Sequence, residues 1–283
     1  MKYKVPSYYK DFKCIAGSCK HTCCEGWEID VDEASVRRFR DIPRIEKEMV
    51  ITGDTAHFRL KSDERCPFLT EGGLCDLILE FGEDILCNIC REHPRFIVNT
   101  TDSVETGIGM ACEAAADLIL SDTNRFSLIT VREDDTPEEA DMLLEDVIRA
   151  RDCNINALYD DQLSERIRTL YEGEILKDAV RNQAFSQMEY MDANFAEEAK
   201  TSKGDVWTIL DGPLQNAYRN LMIYFLFRHP WEGFELCTEM LIKVAQIVQS
   251  RGEGIDTLKA VAREFSAEIE YSDTNPDILL EYL

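Results

Sequence analysis

The sequence predicts a mainly α protein: an irregular, cysteine-rich, metal-binding N-terminal region followed by an α-helical bundle. Three observations predict it. Nine of the eleven cysteines lie in the first 112 residues. Glycine and proline punctuate that stretch at Pro6, Gly17, Gly26, Pro43, Gly53, Gly72, Gly73, Gly82, Pro94, Gly107 and Gly109, as turns require. From residue 113 onward, apolar residues recur at helical spacing between such breaks. The expected division is 1–120 for the cysteine-rich domain and 121–283 for an acidic helical domain.

In the first region, Trp27–Val31 and His57–Lys61 alternate apolar and polar residues as short strands do. A helix is expected over Asp32–Arg40, capped by Asp30 or Asp32. Glu113–Leu120 is a strong helix former, and Phe126–Arg132 is β-like. An acidic link follows. In it Thr136 suits an N-cap, Pro137 the first helical position, and Glu138 with Glu139 the first turn. Met142, Leu143, Val147 and Ile148 form the next helical stripe. Further helices are expected at about 160–200, 213–228, 232–251 and 255–270.

The bulk composition narrows the function classes. The chain has 283 residues, 45% of them hydrophobic and 30% charged, as in ordinary globular proteins. Its densest apolar run, Leu221–Phe227, is far shorter than the roughly 20 residues a membrane span needs. The N-terminal segment has no apolar stretch of the secretory kind, so a cytoplasmic location is expected. There, grouped cysteines serve metals or redox chemistry rather than structural disulfides. The net charge is −24 and uneven: residues 1–112 carry 15 Lys/Arg against 20 Asp/Glu, and residues 113–283 carry 16 against 35. Such a chain repels nucleic-acid phosphates and attracts basic partners, including lysine-bearing protein surfaces.

The candidate metal ligands are Cys14, Cys19, Cys23, Cys24, Cys66, Cys75, Cys87, Cys90 and Cys112. Nine thiols suffice for one or two sites of about four ligands each, for Zn²⁺ or an iron–sulfur cluster. The spacing alone does not choose the metal. His21 sits among these cysteines, yet a loop histidine is more often solvated than ligating. Arg95, in His93-Pro94-Arg95 just beyond Cys90, is the candidate cofactor-binding residue, able to hold a carboxylate or phosphate. Cys153 and Cys237 stand alone on helical stripes and are expected to be packing residues. His57 and His229 have no sequence partner and are expected to be ordinary. No Gly-rich nucleotide loop of the strand–turn–helix kind is present.

Four separated elements carry a family resemblance: Cys19-x3-Cys23-Cys24-x-Gly26-Trp27, Cys66-x-Phe68-Leu69 with Gly73-x-Cys75, Cys90-x2-His93-Pro94-Arg95, and Ala111-Cys112-Glu113-Ala114-Ala115. Together they resemble the flagellin lysine N-methylase family over roughly residues 1–120. The first three are also similar to a broader family of zinc- or iron-chelating cysteine-rich proteins. The resemblance implies methyl transfer from S-adenosylmethionine to surface lysines of flagellin, with an iron–sulfur cluster of the 4Fe-4S type. It makes Cys14, Cys19, Cys23 and Cys24 cluster-ligand candidates and matches Cys66, Cys75, Cys90 and Cys112; Cys87 is not clearly a family position. The chain departs from the Cys-x3-Cys-x2-Cys spacing of radical enzymes, because Gly26 stands where the third cysteine would be. The catalytic base is unassigned; Tyr8, Tyr9, Glu25, Asp30 and Glu92 are generic candidates. Two other readings stand beside this one: a non-catalytic zinc- or iron-binding structural module, and an electron-transfer or redox-sensing iron–sulfur protein.

Overall fold

The computed structural model describes residues 1–134, 142–272 and 274–283. Helices predominate and a small sheet accompanies them. The elements, in chain order, are β1 (Lys2–Pro6), α1 (Glu33–Phe39), α2 (Pro43–Glu46), β2 (Met49–Thr52), β3 (Thr55–Phe58), α3 (Asp76–Phe81), α4 (Asn88–Glu92), β4 (Arg95–Asn99) and β5 (Ser103–Ile108). There follow α5 (Glu113–Ser121), β6 (Leu128–Glu133), α6 (Met142–Ala157), α7 (Leu163–Leu170), α8 (Asp178–Ser186), α9 (Ala193–Thr201) and α10 (Trp207–Leu210). The last are α11 (Gln215–Arg228), α12 (Gly233–Arg251), α13 (Ile255–Phe265) and α14 (Asn275–Leu280). The helix start expected at Thr136–Glu139 lies outside the described residues, as do the side chains of Met142 and Leu143.

The chain divides into two compact units, Lys13–Arg95 and a larger one made of Met1–Phe12 with Phe96–Leu283. This differs from the expected boundary at residue 120. The first twelve residues leave the cysteine-rich stretch because β1 is a strand of the larger unit's sheet, whose order is β4-β5-β1-β6. β1 runs parallel to β5, with Lys2 opposite Ser103 and Lys4 opposite Glu105. It runs antiparallel to β6, with a bulge at Tyr3/Lys4.

In the smaller unit, Asp32 caps α1. Its Oδ1 accepts from Ser35 N at 3.0 Å, and its Oδ2 accepts from Asn88 N at 2.9 Å, tying the start of α1 to the start of α4. The strand expected over Trp27–Val31 is not one; it bends and makes only an isolated bridge, Asp30 to His57. The hairpin partner of β3 is instead β2, with Thr52 opposite Thr55. Gly53 turns it at φ 60, where a Cβ would be strained.

In the larger unit, the helix expected at 160–200 is three: α7, α8 and α9. Gly173, at φ 96, lies in the first break, and Asp192 caps α9 after the second by accepting from Asn194 N and Phe195 N. The helix expected at 255–270 is α13 followed by a π-helical turn at Ser266–Glu270. Ten of the fourteen residues of α11 and fourteen of the nineteen of α12 are buried. A helix surrounded on all sides cannot keep its polar side chains in water, so each needs an internal partner. Glu239 of α12 pairs with Arg181 of α8 at 2.6 Å, both side chains at most 2% exposed. Glu239 also accepts from Tyr171 OH at 3.1 Å and Leu176 N at 2.9 Å. Lys243 donates to Asn182 Oδ1 and Ser202 O, and Gln246 to Asp178 Oδ1. Burial, with the Arg181 charge beside it, lowers the Lys243 amine to about 7. Arg151 of α6 and Glu105 of β5 form a second buried pair at 2.6 Å. Among the described residues, no helix is long and apolar enough to cross a membrane.

A second polar knot surrounds the π-helical turn. Glu270 is buried and receives Tyr224 OH at 3.0 Å, His229 Nε2 at 2.8 Å and Arg228 Nε at 3.3 Å. His229 Nδ1 lies 3.6 Å from Glu232 Oε1. His229 is therefore not the ordinary residue expected from sequence. Burial would lower its pKa, but the bonds to Glu232 and Glu270 outweigh burial and raise it.

Two outcomes follow. Glu239→Leu strips the buried Arg181 of its buried carboxylate and leaves it only the half-exposed Asp178, at 2.9 Å, so urea unfolding should show a loss of about 3 kcal/mol. The His229 contribution should be complete below its unfolded value of 6.5 and should fade as pH rises through the higher folded value. Comparing unfolding free energies across pH for the wild type and His229→Gln measures this. A wild-type curve that does not fall relative to the variant above pH 6.5 would contradict the assignment.

Candidate functional site

The smaller unit gathers five cysteines from four places in the chain. Backbone pairing does the gathering. Cys66 N donates to Cys24 O at 2.8 Å, and Gly26 N to Glu64 O at 3.1 Å, so the loops bearing Cys24 and Cys66 run side by side. Asp76 N donates to Phe68 O at 2.8 Å, and Leu69 bridges Cys75, which brings Cys75 to the same pair. Cys75 occupies the N-cap of α3 and Cys87 the N-cap of α4. One α-helical turn then carries Cys90 back to hydrogen-bond Cys87. Cys66 and Cys87 belong to the unit's core, with Phe39, Ile45, Phe58, Phe68 and Leu77, and Cys24, Cys75 and Cys90 pack against that core.

These five thiols lie near enough to affect one another's ionisation. The hydrogen bond from Cys23 lowers Cys24 to about 7 against the opposing effect of burial. Burial pushes Cys66 up to about 12, with the Cys24, Cys75 and Cys87 charges adding to it. Burial also raises Cys75, although the Ile78 and Leu77 N–H groups favour its thiolate. The bond between Cys87 and Cys90 lowers Cys87 and raises Cys90: one proton is shared and stays with Cys90. The nest thus favours thiolate at Cys24 and Cys87, the form that ligates metal.

The other sequence-derived candidates lie elsewhere. Cys14 is exposed and accepts from Ala16 N at 3.4 Å; the Cys19 thiol donates to His21 O at 3.2 Å. Cys23 reaches the nest through Cys24, and its carbonyl accepts from Trp27 Nε1 at 2.7 Å. Cys112 is in the larger unit, at the N-cap of α5. Arg95 begins β4 and donates to Arg91 O at 3.2 Å, closing the end of α4. Cys237 is buried in the larger core as expected, but Cys153 is exposed and so is not a packing residue. None of the eleven cysteines forms a disulfide. Of the base candidates, Tyr8 is buried, and burial with the nearby Asp122 charge pushes its phenol well above the usual range, so it holds its proton at neutral pH. Glu25, Asp30 and Glu92 are exposed. Sequence reasoning missed Glu270, Tyr224, Arg228 and His229 as an interacting group. The only signal was His229-Pro230 closing an apolar helix.

Among the described residues, no three His, Cys, Asp or Glu side chains stand grouped to hold a metal ion. The nest does supply sulfur donors, with Cys24 and Cys87 biased toward thiolate, the donor type that zinc and iron–sulfur clusters take. The chain is similar to the protein named lysine-N-methylase of Salmonella typhimurium, 26% identical over 134 residues that cover 44% of this chain and 33% of that protein. It is similar at 27%, with the same shares, to the lysine-N-methylase of Salmonella choleraesuis. The flagellar biosynthetic protein FliU of Salmonella muenchen is 26% identical over 134 residues, covering 44% of this chain and 79% of that protein. The matched stretch therefore spans about a third of the two lysine-N-methylases. No family model and no solved structure matches.

One close approach ties the outlying cysteine loop to the nest. A Cβ on Gly17 would stand 2.7 Å from Gly72 O, a backbone atom that cannot swing aside. Gly17→Ala should force the Cys14–Cys19 loop off the loop before Cys75. Thermal unfolding should show a loss of about 1–3 kcal/mol, and an unchanged midpoint would contradict the contact.

Proposed function

We propose that this distant relative of the Salmonella lysine-N-methylases transfers methyl groups from S-adenosylmethionine to lysine side chains of flagellin or a similar protein, with a metal–sulfur centre in its cysteine nest. The similarity to proteins of that name carries the reading. Two features of the chain support it: the gathered thiols and the acidic charge of residues 113–283.

Lysine chemistry sets what the residues must do. A lysine of pKa near 10.4 is neutral in only about one molecule in 2,500 at pH 7, and only the neutral amine can attack a methyl group. An acidic surface captures the ammonium but also stabilises it, so the net charge assists encounter and hinders deprotonation. Deprotonation therefore needs burial of the amine or a dedicated acceptor. Cys24, Cys66, Cys75, Cys87 and Cys90 would hold the metal centre, with Cys23 beside them to bias Cys24 toward thiolate. Bound there, an iron–sulfur cluster would supply electron transfer or an open iron site for the cosubstrate's amino and carboxylate groups. Cys14, which is exposed and bonds within its own loop, would not be required for metal retention.

A second reading has its own support. Cys66 and Cys87 line the core of a unit of modest size, the position a structural zinc would occupy. Metal analysis separates the two. Iron and sulfide per chain, measured on protein purified without oxygen, should be near four each for the cluster enzyme; one or two zinc without sulfide supports the structural module. In either case Cys66→Ser or Cys87→Ser should lose the metal, whereas Cys14→Ser and Cys237→Ala should retain it. Methylation is checked by incubating the protein with labelled S-adenosylmethionine and flagellin, then reading the label on lysine. No transfer by iron- and sulfide-replete protein would refute the methylase reading for this chain.

A further inference from the structure

Away from the cysteines, the larger unit carries a shallow groove, open to solvent, of about 450 Å³. Arg168, Tyr171, Gly173, Glu174, Ile175 and Trp207 line it. The local chain explains its shape. α7 ends at Leu170, and the backbone then turns through Gly173 at φ 96, where nothing stands within 4 Å of the missing Cβ. The floor of the groove is thus left bare. Tyr171 is fixed by its hydroxyl, which donates to the buried Glu239 carboxylate at 3.1 Å. Trp207, half-buried at the start of α10, lines the groove.

The Trp207 ring already holds a cation. The Arg168 guanidinium lies 4.3 Å from the Trp207 ring centroid, well inside the ~6 Å over which an aromatic quadrupole attracts positive charge. Arg168 is itself exposed, so no packing compels it to stay there. Glu174 places an exposed carboxylate on the rim. The surrounding sequence, residues 113–283, carries 16 basic against 35 acidic residues, a field that draws cations and turns anions away. A π face, a second aromatic ring, a carboxylate and an aliphatic side chain (Ile175) together match an alkylammonium with a hydrocarbon stem.

We propose that this groove binds the ammonium end of a lysine side chain, unmodified or N-methylated, on a partner protein, and that the incoming ammonium displaces Arg168 from the face of Trp207. The inference rests on the lysine-directed reading above and adds a holding site for the lysine that is separate from the cysteine nest. It predicts an effect of unusual sign: removing the resident cation should strengthen binding.

The test titrates the full chain with three versions of one short peptide, carrying lysine, trimethyl-lysine or the neutral isostere norleucine at its centre. Calorimetry gives the affinity, and the indole N–H signal of Trp207 gives the location. Both ammonium peptides should bind and the norleucine peptide should bind at least tenfold more weakly. Arg168→Ala should tighten the ammonium peptides by roughly three- to tenfold, and Trp207→Leu should weaken them by roughly tenfold. Should Trp207→Leu fail to fold, Glu174→Gln, at an exposed position, should still weaken binding several-fold. Equal binding of the norleucine peptide, or an affinity unchanged or lowered by Arg168→Ala, overturns the proposal. Ammonium-selective binding without methyl transfer refutes the methylase reading and leaves the groove standing; methyl transfer without ammonium-selective binding does the reverse.

Discussion

The ion pair between Arg181 and Glu239 is the constraint on which the larger unit depends. Helix α12 is enclosed on all sides, and desolvating a carboxylate costs several kcal/mol unless its lone pairs are answered. Glu239 therefore dictates what surrounds it: the Arg181 guanidinium of α8, the Tyr171 hydroxyl and the Leu176 amide. One turn further on, Lys243 sets the positions of Asn182 and Ser202, and Gln246 those of Asp178 and Gly204. Apolar packing alone would let α8 and α9 slide along α12, because one leucine contact resembles the next. The directional bonds choose a single register.

The helices of the larger unit were legible in the sequence because amphipathic periodicity and Gly or Pro breaks are local signals. α11, α12 and α13 fall where the pattern places them. Of the sheet, β6 (Leu128–Glu133) was legible in the β-like run Phe126–Arg132, but the pairing of β1 was not. β1 is only five residues long, and its parallel partner β5 begins about a hundred residues later, so no local pattern records the pairing. The same long-range pairing is why residues 1–12 join the larger unit, so that the compact units divide differently from the cysteine density. In the smaller unit, Trp27–Val31 has strand-like alternation, but it meets β3 only through Phe58 N to Ile29 O and Val31 N to Ala56 O, so its pairing stops at a single bridge and propensity gave way to context.

The chemistry was half legible. Cysteine density located the unit that concentrates thiols, but proximity in sequence misled about proximity in space. Cys14, Cys19, Cys23 and Cys24 form the tightest run along the chain, and Cys24 is the member of that run whose charge acts on Cys66, Cys75 and Cys90. The other thiols of the nest, Cys66, Cys75, Cys87 and Cys90, are brought in by backbone pairing that spacing cannot foretell. The Glu270 knot was invisible for the same reason: His229 and Glu270 are 41 residues apart, and Glu270 ends a π-helical turn that no local pattern records.

The insertion of Lys13–Arg95 between β1 and β5 also orders events during synthesis. At about 5–20 residues per second, β1 waits roughly 5–20 s after leaving the ribosome before β5 follows it. By the end of that interval all eight thiols of the inserted unit have emerged in a chain whose host sheet is not yet closed. The cysteine unit can thus complete its own core before the larger unit can complete its sheet. Whatever partner its sulfurs take in the cell can reach them before that sheet closes.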